Sequence, residues 1–394
     1  MNIEALQFLA SPQGKEILDK YKDVSIKEIP SLVITLSKKE IPFVAELATL
    51  LKLRKKAQGK FSRAEEMYFT STGLEQCSGE NVSRYIADRF KKTGSIVTDL
   101  TGGMGGNSIF LAEHLKVRLV EMDEVHLYCA RQNAKVYGVD KNIEFIHGKA
   151  EENISDSDAF IIDPQRTREA KTKTRSFHNS EPNIAELLPK IKEKTENICI
   201  KISPAFDYKE VSEINGSAEI EIVSEDNNNK AALLWFGDLK TATRRATILE
   251  ERISFKSDDN IERVKITEEI GSYLYIPNKA ISKAGLVNEV ATEYGLSKVS
   301  SKHDILTSKK LIHYPEKVFR SFEILDYDTF SIKNSKKILK KHKIDRSHII
   351  AHHFIKGAET LRKKLKLKEG GDYTVIFMEL LGKNHIIITK ACKN

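Results

Sequence analysis

Residues 97–107 read Val-Thr-Asp-Leu-Thr-Gly-Gly-Met-Gly-Gly-Asn, and Ser108-Ile-Phe-Leu-Ala-Glu-His-Leu115 follows with helical spacing. Few folds are open to a β-branched run that ends in an acid and passes through glycines into a helix. The glycines let the backbone turn sharply and approach a ligand closely, and a helix start leaves N–H groups without intrahelical partners. The segment therefore predicts the strand–turn–helix unit of a nucleotide-type fold. Its crevice lies beyond the carboxyl end of the strand.

The surrounding pattern extends this unit into an α/β sheet. Short β-rich runs at 96–100, 117–122, 143–146, 159–163, 197–202, 218–223 and 231–236 alternate with helical stretches such as 124–137 and 183–194. Such alternation calls for a largely parallel sheet covered by helices. Residues 1–92 carry helical periodicity instead, with Ile17, Leu18, Tyr21 and Val24, then Ile41, Val44, Leu47, Leu50 and Leu51, recurring at three and four. After Lys240 the pattern changes to two small α+β units with a boundary near 327. Strands are expected at 261–266, 272–276, 319–325 and 348–353, and helices at 279–294, 333–342 and 359–367. A hairpin of 373–381 with 385–389 closes the chain.

Composition narrows the partners. The chain has 394 residues and a formal net charge of +8, which favours an anionic partner such as nucleic acid. The four cysteines, Cys77, Cys129, Cys199 and Cys392, form no CxxC pair, which argues against a disulfide framework or a structural zinc site. Cys129 and Cys199 fall within apolar patterns and read as core residues. The first residues show no charged-then-apolar leader pattern, and no apolar run approaches membrane-spanning length, so a cytoplasmic location is expected.

Asp99 and Glu121 sharpen the ligand. Glu121 ends the second strand roughly twenty residues after the turn, where an acid can hold a ribose diol. The turn lacks the Lys-Ser/Thr pair of a phosphate-gripping loop. Asp99 is also badly placed for a pyrophosphate, whereas an acid before the glycines suits a ligand with a cationic amine, namely S-adenosylmethionine. The bland alternative is a glycine turn that holds no ligand.

Asp99-Leu-Thr-Gly-Gly-Met-Gly-Gly-Asn107, Val120-Glu-Met-Asp123, Ala130-Arg-Gln-Asn-Ala-Lys-Val-Tyr-Gly138 and Ile143-Glu-Phe-Ile-His-Gly148 resemble successive motifs of class I methyltransferases. Within that superfamily they are most similar to the trimethylguanosine synthase-like group of RNA guanine-N2 methyltransferases. The wider layout resembles a bacterial group of methyltransferases with a helical N-terminal part, a Rossmann-like domain, a ferredoxin-like unit and a THUMP-like C-terminal domain. Lys60-Phe-Ser-Arg-Ala-Glu-Glu-Met-Tyr-Phe-Thr70, Gly73-Leu-Glu-Gln76 and Leu361-Arg-Lys-Lys-Leu-Lys-Leu-Lys-Glu-Gly-Gly-Asp372 are like that group's signatures. The resemblance implies domains at 1–92 (helical), 93–240 (Rossmann-like methyltransferase), 241–327 (ferredoxin-like) and 328–394 (THUMP-like, basic).

It also implies S-adenosylmethionine as cofactor, with Asp99 facing the methionine amine and Gly103 and Gly105 giving room. Glu121 would bind the ribose and Met122 would lie on the adenine, with Thr101, Asn107 and Ala150 completing the set. Thr101 stands where the general pattern has its first glycine. Lys149 stands where many relatives carry an acid toward adenine, and no aromatic follows Pro164.

The acceptor end is Ala159-Phe-Ile-Ile-Asp-Pro-Gln-Arg166. Asp163, Pro164 and Arg166 are the catalytic candidates, because amine methylation needs mainly alignment and Asp163 can accept a hydrogen bond from the target N–H. The plain alternative for Asp163 is a turn cap. No cysteine is expected near this site, which argues against a covalent carbon-5 pyrimidine mechanism. Arg168, Lys171, Lys173 and Arg175 follow in a basic loop, read either as a solvated segment or as a lid over RNA phosphates. His178 lies in the same loop as a less favoured base.

Lysines crowd two C-terminal helical stretches. Of these, Lys337, Lys341, Arg362 and Lys363 are the RNA-docking candidates. No metal site is expected, since adjacent His352 and His353 would point to opposite faces of a strand. The reading is a methyltransferase acting on a base nitrogen of structured RNA, tRNA or rRNA, with no membrane partner. Two rivals are an RNA-binding protein with a catalytically silent fold and a methyltransferase for protein or a small molecule.

Overall fold

The computed structural model describes residues 1–166, 180–214, 217–258, 260–261, 264–267, 269–300, 303–351, 354, 356–380 and 382–392. Two units divide the chain: Met1–Glu219 with Ala231–Thr241, and Ile220–Lys230 with Ala242–Asn394.

The first unit opens with helices α1 (Ile3–Ala10), α2 (Pro12–Lys20), α3 (Ile29–Ser37), α4 (Val44–Ala57), α5 (Ser71–Gln76) and α6 (Glu80–Phe90). Local chemistry sets their starts: Asn2 and Ser11 accept from the N–H groups of Ala5 and Gly14, and Pro12 stands at the first position of α2. Then follow β1 (Ile96–Asp99), α7 (Ser108–Leu111), β2 (Lys116–Glu121), α8 (Glu124–Tyr137), β3 (Ile143–His147), β4 (Ala159–Ile162), β5 (Gln165–Arg166) and β6 (Ser180–Glu181). In chain order there follow α9 (Ile184–Lys192), β7 (Ile198–Ile202), α10 (Tyr208–Glu213), β8 (Glu219–Glu225, all but its first residue in the second unit) and β9 (Asn228–Trp235).

Strands of this unit run in the order β3-β2-β1-β4-β7-β9. All pairs are parallel except β7 with β9. β4 is buried at every position, as expected for a parallel strand covered on both faces, so its sequence is continuous apolar rather than alternating. Ile162 pairs with Ile200, so the carboxyl ends of β4 and β7 lie side by side.

Two ties join the N-terminal helices to this sheet. Phe90 packs against Trp235 with ring centroids 5.9 Å apart, and Arg89 lies 4.4 Å over the same indole while donating to the Leu239 carbonyl. The second tie is Asn133 of α8, fully buried. Its Oδ1 accepts from Tyr68 N–H at 2.7 Å, and its Nδ2 donates to the carbonyls of Tyr68 and Met104, both at 3.1 Å. One side chain thus holds the segment before α5 against the glycine turn.

In the second unit β8 pairs in parallel with β10 (Arg244–Ile248), which pairs antiparallel with β11 (Ile253–Lys256). Then come β12 (Tyr273–Pro277), α11 (Lys279–Ala284), α12 (Val287–Glu293), β13 (Ser297–Lys298), β14 (Leu306–Ser308) and β15 (Phe319–Thr329). α13 (Ile332–Lys341), β16 (His348–Ala351), α14 (Ala358–Leu365), β17 (Tyr373–Leu380) and β18 (Lys383–Ala391) complete it. A seven-stranded sheet runs in the order β13-β14-β12-β15-β18-β17-β16.

Alternation along β17 serves both faces of that sheet. Val375 and Phe377 join Ile338, Leu339, Leu361 and Leu365 of α13 and α14, while Ile376 and Met378 join Leu274 and Phe322. The helix expected at 279–294 is two helices, because Gly285 takes φ +68° as the left-handed cap of α11. β15 extends beyond the expected 325 to Thr329, with a register shift between Ile324 and Asp326. Of the strand expected at 261–266, Ile266 makes one isolated bridge to Lys298.

Asn133→Ala leaves three buried backbone groups without partners. Urea unfolding should show a loss of about 2–4 kcal/mol, and limited proteolysis should cut sooner near Tyr68.

Candidate active site

The turn after β1 is shaped by what lies on either side of it. Gly102 donates to the Val120 carbonyl at 2.8 Å, and a Cβ there would stand 2.3 Å from the Leu119 side chain. Gly103 takes φ +53°, with open space where its Cβ would be. Its N–H donates to Glu121 Oε2 at 2.7 Å, and the other carboxylate oxygen of Glu121 accepts from Asp123 N–H at 2.8 Å. Two strand ends are fixed to one another in this way. Glycine at 103 suits the left-handed backbone, and glycine at 102 the close approach to Leu119.

Asp99 lies beneath the turn, 1% exposed. Its carboxylate accepts from Thr101 N–H at 3.1 Å and from the Ser108 hydroxyl at 2.6 Å. Burial pushes this carboxyl up to about 7; the two hydrogen bonds oppose the shift, and the charges of Asp163 and Glu121 add to it. None of these influences is a cation.

Thr101, the departure from the general glycine pattern, has a structural task. Its hydroxyl accepts from Asp163 N–H at 2.6 Å and so ties the turn to the end of β4. Asn107 faces the other way, accepting from the Ser83 hydroxyl of α6 at 3.1 Å.

In front of the turn lies a cavity of about 780 Å³. Thr101, Glu121, Met122 and Ala150 line it together with Gln165 and Ser180 of the β5–β6 hairpin. Its charged lining among the described residues is Glu121, Asp123, Glu151 and Glu181 against Lys149. Met122 is 54% exposed, an apolar side chain on a polar wall. His126 also reaches the cavity and pairs through Nε2 with the Thr70 hydroxyl at 2.9 Å.

Asp163 stands one residue beyond β4, followed by partly buried Pro164. Its carboxylate forms an ion pair with Lys201 Nζ, the two side chains being 25% and 12% exposed. Lys201 is the main functional candidate that the sequence reading missed. Its signal was a lone charge near the end of the apolar strand Ile198-Cys-Ile-Lys-Ile202. His126 was missed too.

Contrary to the expectation that no cysteine lies near this site, Cys77 is within electrostatic reach of it: burial shifts its thiol upward, Lys60 and then Lys201 oppose the shift, and Asp163 adds to it. A thiol shifted that way is a poor nucleophile. Arg166 begins the hairpin as part of β5, while Arg168, Lys171, Lys173, Arg175 and His178 lie outside the described residues.

The basic candidates of the second unit differ in what they do. Lys337 and Lys363 are exposed. Lys341 is 68% exposed and pairs with Asp326 at 2.6 Å, where His342 also bonds. Arg362 is committed to the fold, donating to the carbonyls of Ser347 at 2.9 Å and Lys368 at 3.2 Å. His352 and His353 lie outside the described residues, and no metal-binding cluster of His, Cys, Asp or Glu is found among those described. No described helix is long and apolar enough to cross a membrane.

An acid-lined cavity at the carboxyl edge of this sheet, with a buried acid behind its glycine turn, defines the class I methyltransferase architecture. Residues 94–205 match the family of RNA cap guanine-N2 methyltransferases, 273–315 a ferredoxin-like domain and 319–391 a THUMP-like domain. A Mycobacterium tuberculosis protein described as an uncharacterized S-adenosylmethionine-dependent methyltransferase is 25% identical over 345 residues, 83% of this chain and 90% of the relative; it is found in strains CDC 1551 and H37Rv alike. A crystal structure from Porphyromonas gingivalis W83, provisionally described as a methyltransferase, has the same fold. It covers 99% of this chain and 98% of its own at TM-score 0.80 and 22% identity. Together these findings support an S-adenosylmethionine-dependent methyltransferase that carries ferredoxin-like and THUMP-like domains.

The residues present fit that cofactor. A buried acid pushed up to about 7 and an acidic cavity wall both favour a cationic ligand, and exposed Met122 offers an apolar face to a base. When bound, the cofactor supplies an electrophilic methyl group on a sulfonium.

Because a cationic ligand favours ionised Asp99, its calorimetric affinity should rise with pH between 5.5 and 7, approaching about tenfold per unit, and then level off. Asp99→Asn should abolish this dependence and weaken binding. For the ligand-free protein the sign is opposite. The folded state keeps a proton that the unfolded chain releases above its ordinary value of 3.8, so stability falls as pH rises from about 4 to 7. Asp99→Asn should therefore raise the melting temperature at pH 7.5.

Proposed function

We propose that this enzyme methylates a base nitrogen of structured RNA, with tRNA and rRNA as the first substrates to test. The observation that carries the proposal is the position of Asp163. It is a carboxylate at the end of β4, beside Lys201 and joined through Thr101 to the cofactor turn. A target N–H donated to that carboxylate is held in one orientation, and alignment of this kind supplies much of the acceleration in a transfer reaction. Pro164 stiffens the segment, and Arg166 is assigned to the base or its phosphate.

Asp99, Thr101, Gly103, Gly105, Glu121, Met122 and Ala150 are assigned to the cofactor. Asp99 faces its amine and Glu121 its ribose, while Asn107 supports the turn from behind. Arg168, Lys171, Lys173 and Arg175 are assigned to RNA phosphates; Gln165 and Ser180, which flank their segment in sequence, line the cavity. Lys337, Lys341 and Lys363 are assigned to RNA docking on the second unit, with Arg362 holding that surface together. The match of 94–205 to RNA guanine methyltransferases and of 319–391 to a THUMP-like domain supports RNA over protein or metabolite.

RNA from a strain lacking the gene, incubated with the enzyme and tritiated methyl donor, should take up label into a methylated nucleoside. Label confined to protein or small molecules would overturn the RNA reading, and cofactor binding with no turnover on any acceptor would favour the silent-fold rival. In filter binding, Lys337→Ala and Lys363→Ala should each reduce the salt dependence of RNA affinity by about one counterion. Arg362→Ala should instead lower the melting temperature, because two carbonyls lose their donor.

A further inference from the structure

The second unit contains a cavity of about 690 Å³, a volume that suits a ligand of nucleotide size. It lies at the end of the seven-stranded sheet where β12 and β18 stop and β15, β16 and β17 begin. The register gives it one face. Ile276 pairs with Arg320, Phe322 with Ala391, Thr374 with Thr389, and His348 with Thr374. Alternate side chains share a face, so Arg320, Phe322, Ala391, Thr374 and His348 stand on one side of the sheet. All five line the cavity.

Arg320 is the group that calls for a ligand. It makes no side-chain hydrogen bond or ion pair among the described residues. Although exposed, it has enough protein around it to be pushed below the ordinary arginine value, and no acid offsets that desolvation. The other cations of the lining are engaged. Lys317 pairs with Glu316 at 2.9 Å, and Arg362 donates to the carbonyls of Ser347 and Lys368. A free guanidinium offers a planar fork that matches two oxygens of a phosphate.

The far end of the cavity has a different chemistry. Thr374 is two strands across the sheet from Arg320 and four residues along it, roughly 16 Å between Cα atoms. His348 lies one strand further, and its ring has no hydrogen-bond partner among the described residues. Phe322 and Ala391 lie between the two ends. A lone phosphate cannot reach both, whereas a ligand with an anionic head, a flat body and a polar far edge can. Asp226, Glu316 and Glu369 also line the cavity, which disfavours a chain of several phosphates.

We propose that this cavity binds a nucleoside 5′-monophosphate, with its phosphate on Arg320, its body over Phe322 and the polar edge of its base toward Thr374 and His348. The site uses none of the groups assigned to the cofactor, so it stands whichever acceptor the enzyme methylates. The same chemistry exists as a free nucleotide and at the 5′ end of an RNA, and the experiment separates the two.

The test is calorimetry of the full chain with saturating S-adenosylhomocysteine, which occupies the adenosine part of the cofactor site. AMP, GMP, CMP and UMP are titrated beside their nucleosides and inorganic phosphate. At least one monophosphate should bind with Kd below about 1 mM, and its nucleoside about tenfold more weakly or worse. Arg320→Met should weaken that monophosphate about tenfold and leave the melting temperature and S-adenosylhomocysteine affinity at wild-type values. His348→Ala should narrow the difference between the monophosphate and inorganic phosphate.

No binding of any monophosphate, equal affinity for nucleoside and monophosphate, or binding that Arg320→Met leaves unchanged would overturn the inference. Competition by an oligoribonucleotide only when it carries a 5′-phosphate would support it with an RNA end as the ligand. Lack of competition by either oligonucleotide would support it with the free nucleotide. Equal competition by the 5′-hydroxyl form would make the strand the ligand and overturn it.

Discussion

A carboxylate at Asp99, buried with only a hydroxyl and one backbone N–H to receive, sets the terms for the rest of the first unit. Two hydrogen bonds do not replace the hydration of a full charge, which is why the group holds its proton to about pH 7. The fold tolerates this because the surrounding pieces are fixed to one another. Gly103 is held by Glu121, Thr101 by Asp163, and Met104 by Asn133. Each tie spends a polar group on the turn's shape and leaves Asp99 for a cationic ligand. The same burial that lowers the ligand-free protein's stability above pH 4 favours a sulfonium compound over a phosphate at this turn.

The parts of this arrangement that were legible in the sequence are those written in neighbouring residues. A strand, an acid and glycines with positive φ leave a local signature, because the backbone itself demands those residue types. Glu121 could be placed because the spacing from turn to second acid is set by one helix and one strand. Gly285 could have been read as a helix stop, since a left-handed cap favours glycine; counting apolar residues across it merged two helices into one.

Lys201 was not legible. Its importance depends on β7 lying beside β4 rather than elsewhere in the sheet, and strand order is not written in any single strand. Asn133 stood inside the motif that carried the family resemblance, yet its task is a long-range one. It binds Tyr68 from the N-terminal helices, so the motif marks a joint as well as a pocket. Arg362 shows a different limit. Its place in a lysine-rich stretch suggested an RNA contact, whereas its guanidinium is occupied by two carbonyls of its own unit. Charge counts cannot separate a cation that completes a fold from one that is free to meet a ligand; hydrogen-bond partners do.

The electrostatics of the cavity bear on how RNA would be held. A wall with Glu121, Asp123, Glu151 and Glu181 suits a sulfonium and repels a phosphodiester backbone. On the RNA reading the cavity would admit a base rather than the strand that carries it, which is the requirement for acting on a nucleotide turned out of its stack. On that reading, affinity for RNA would come from cations rather than from the acidic wall. Alternation along β17 places α13 and α14 on one face of their sheet, and burial of Ile338, Leu339, Leu361 and Leu365 turns Lys337 and Lys363 outward on that side. On the RNA reading, cations such as Lys337 and Lys363 would bind a polyanion, while one neutral base would enter a cavity whose acidic wall suits a cation.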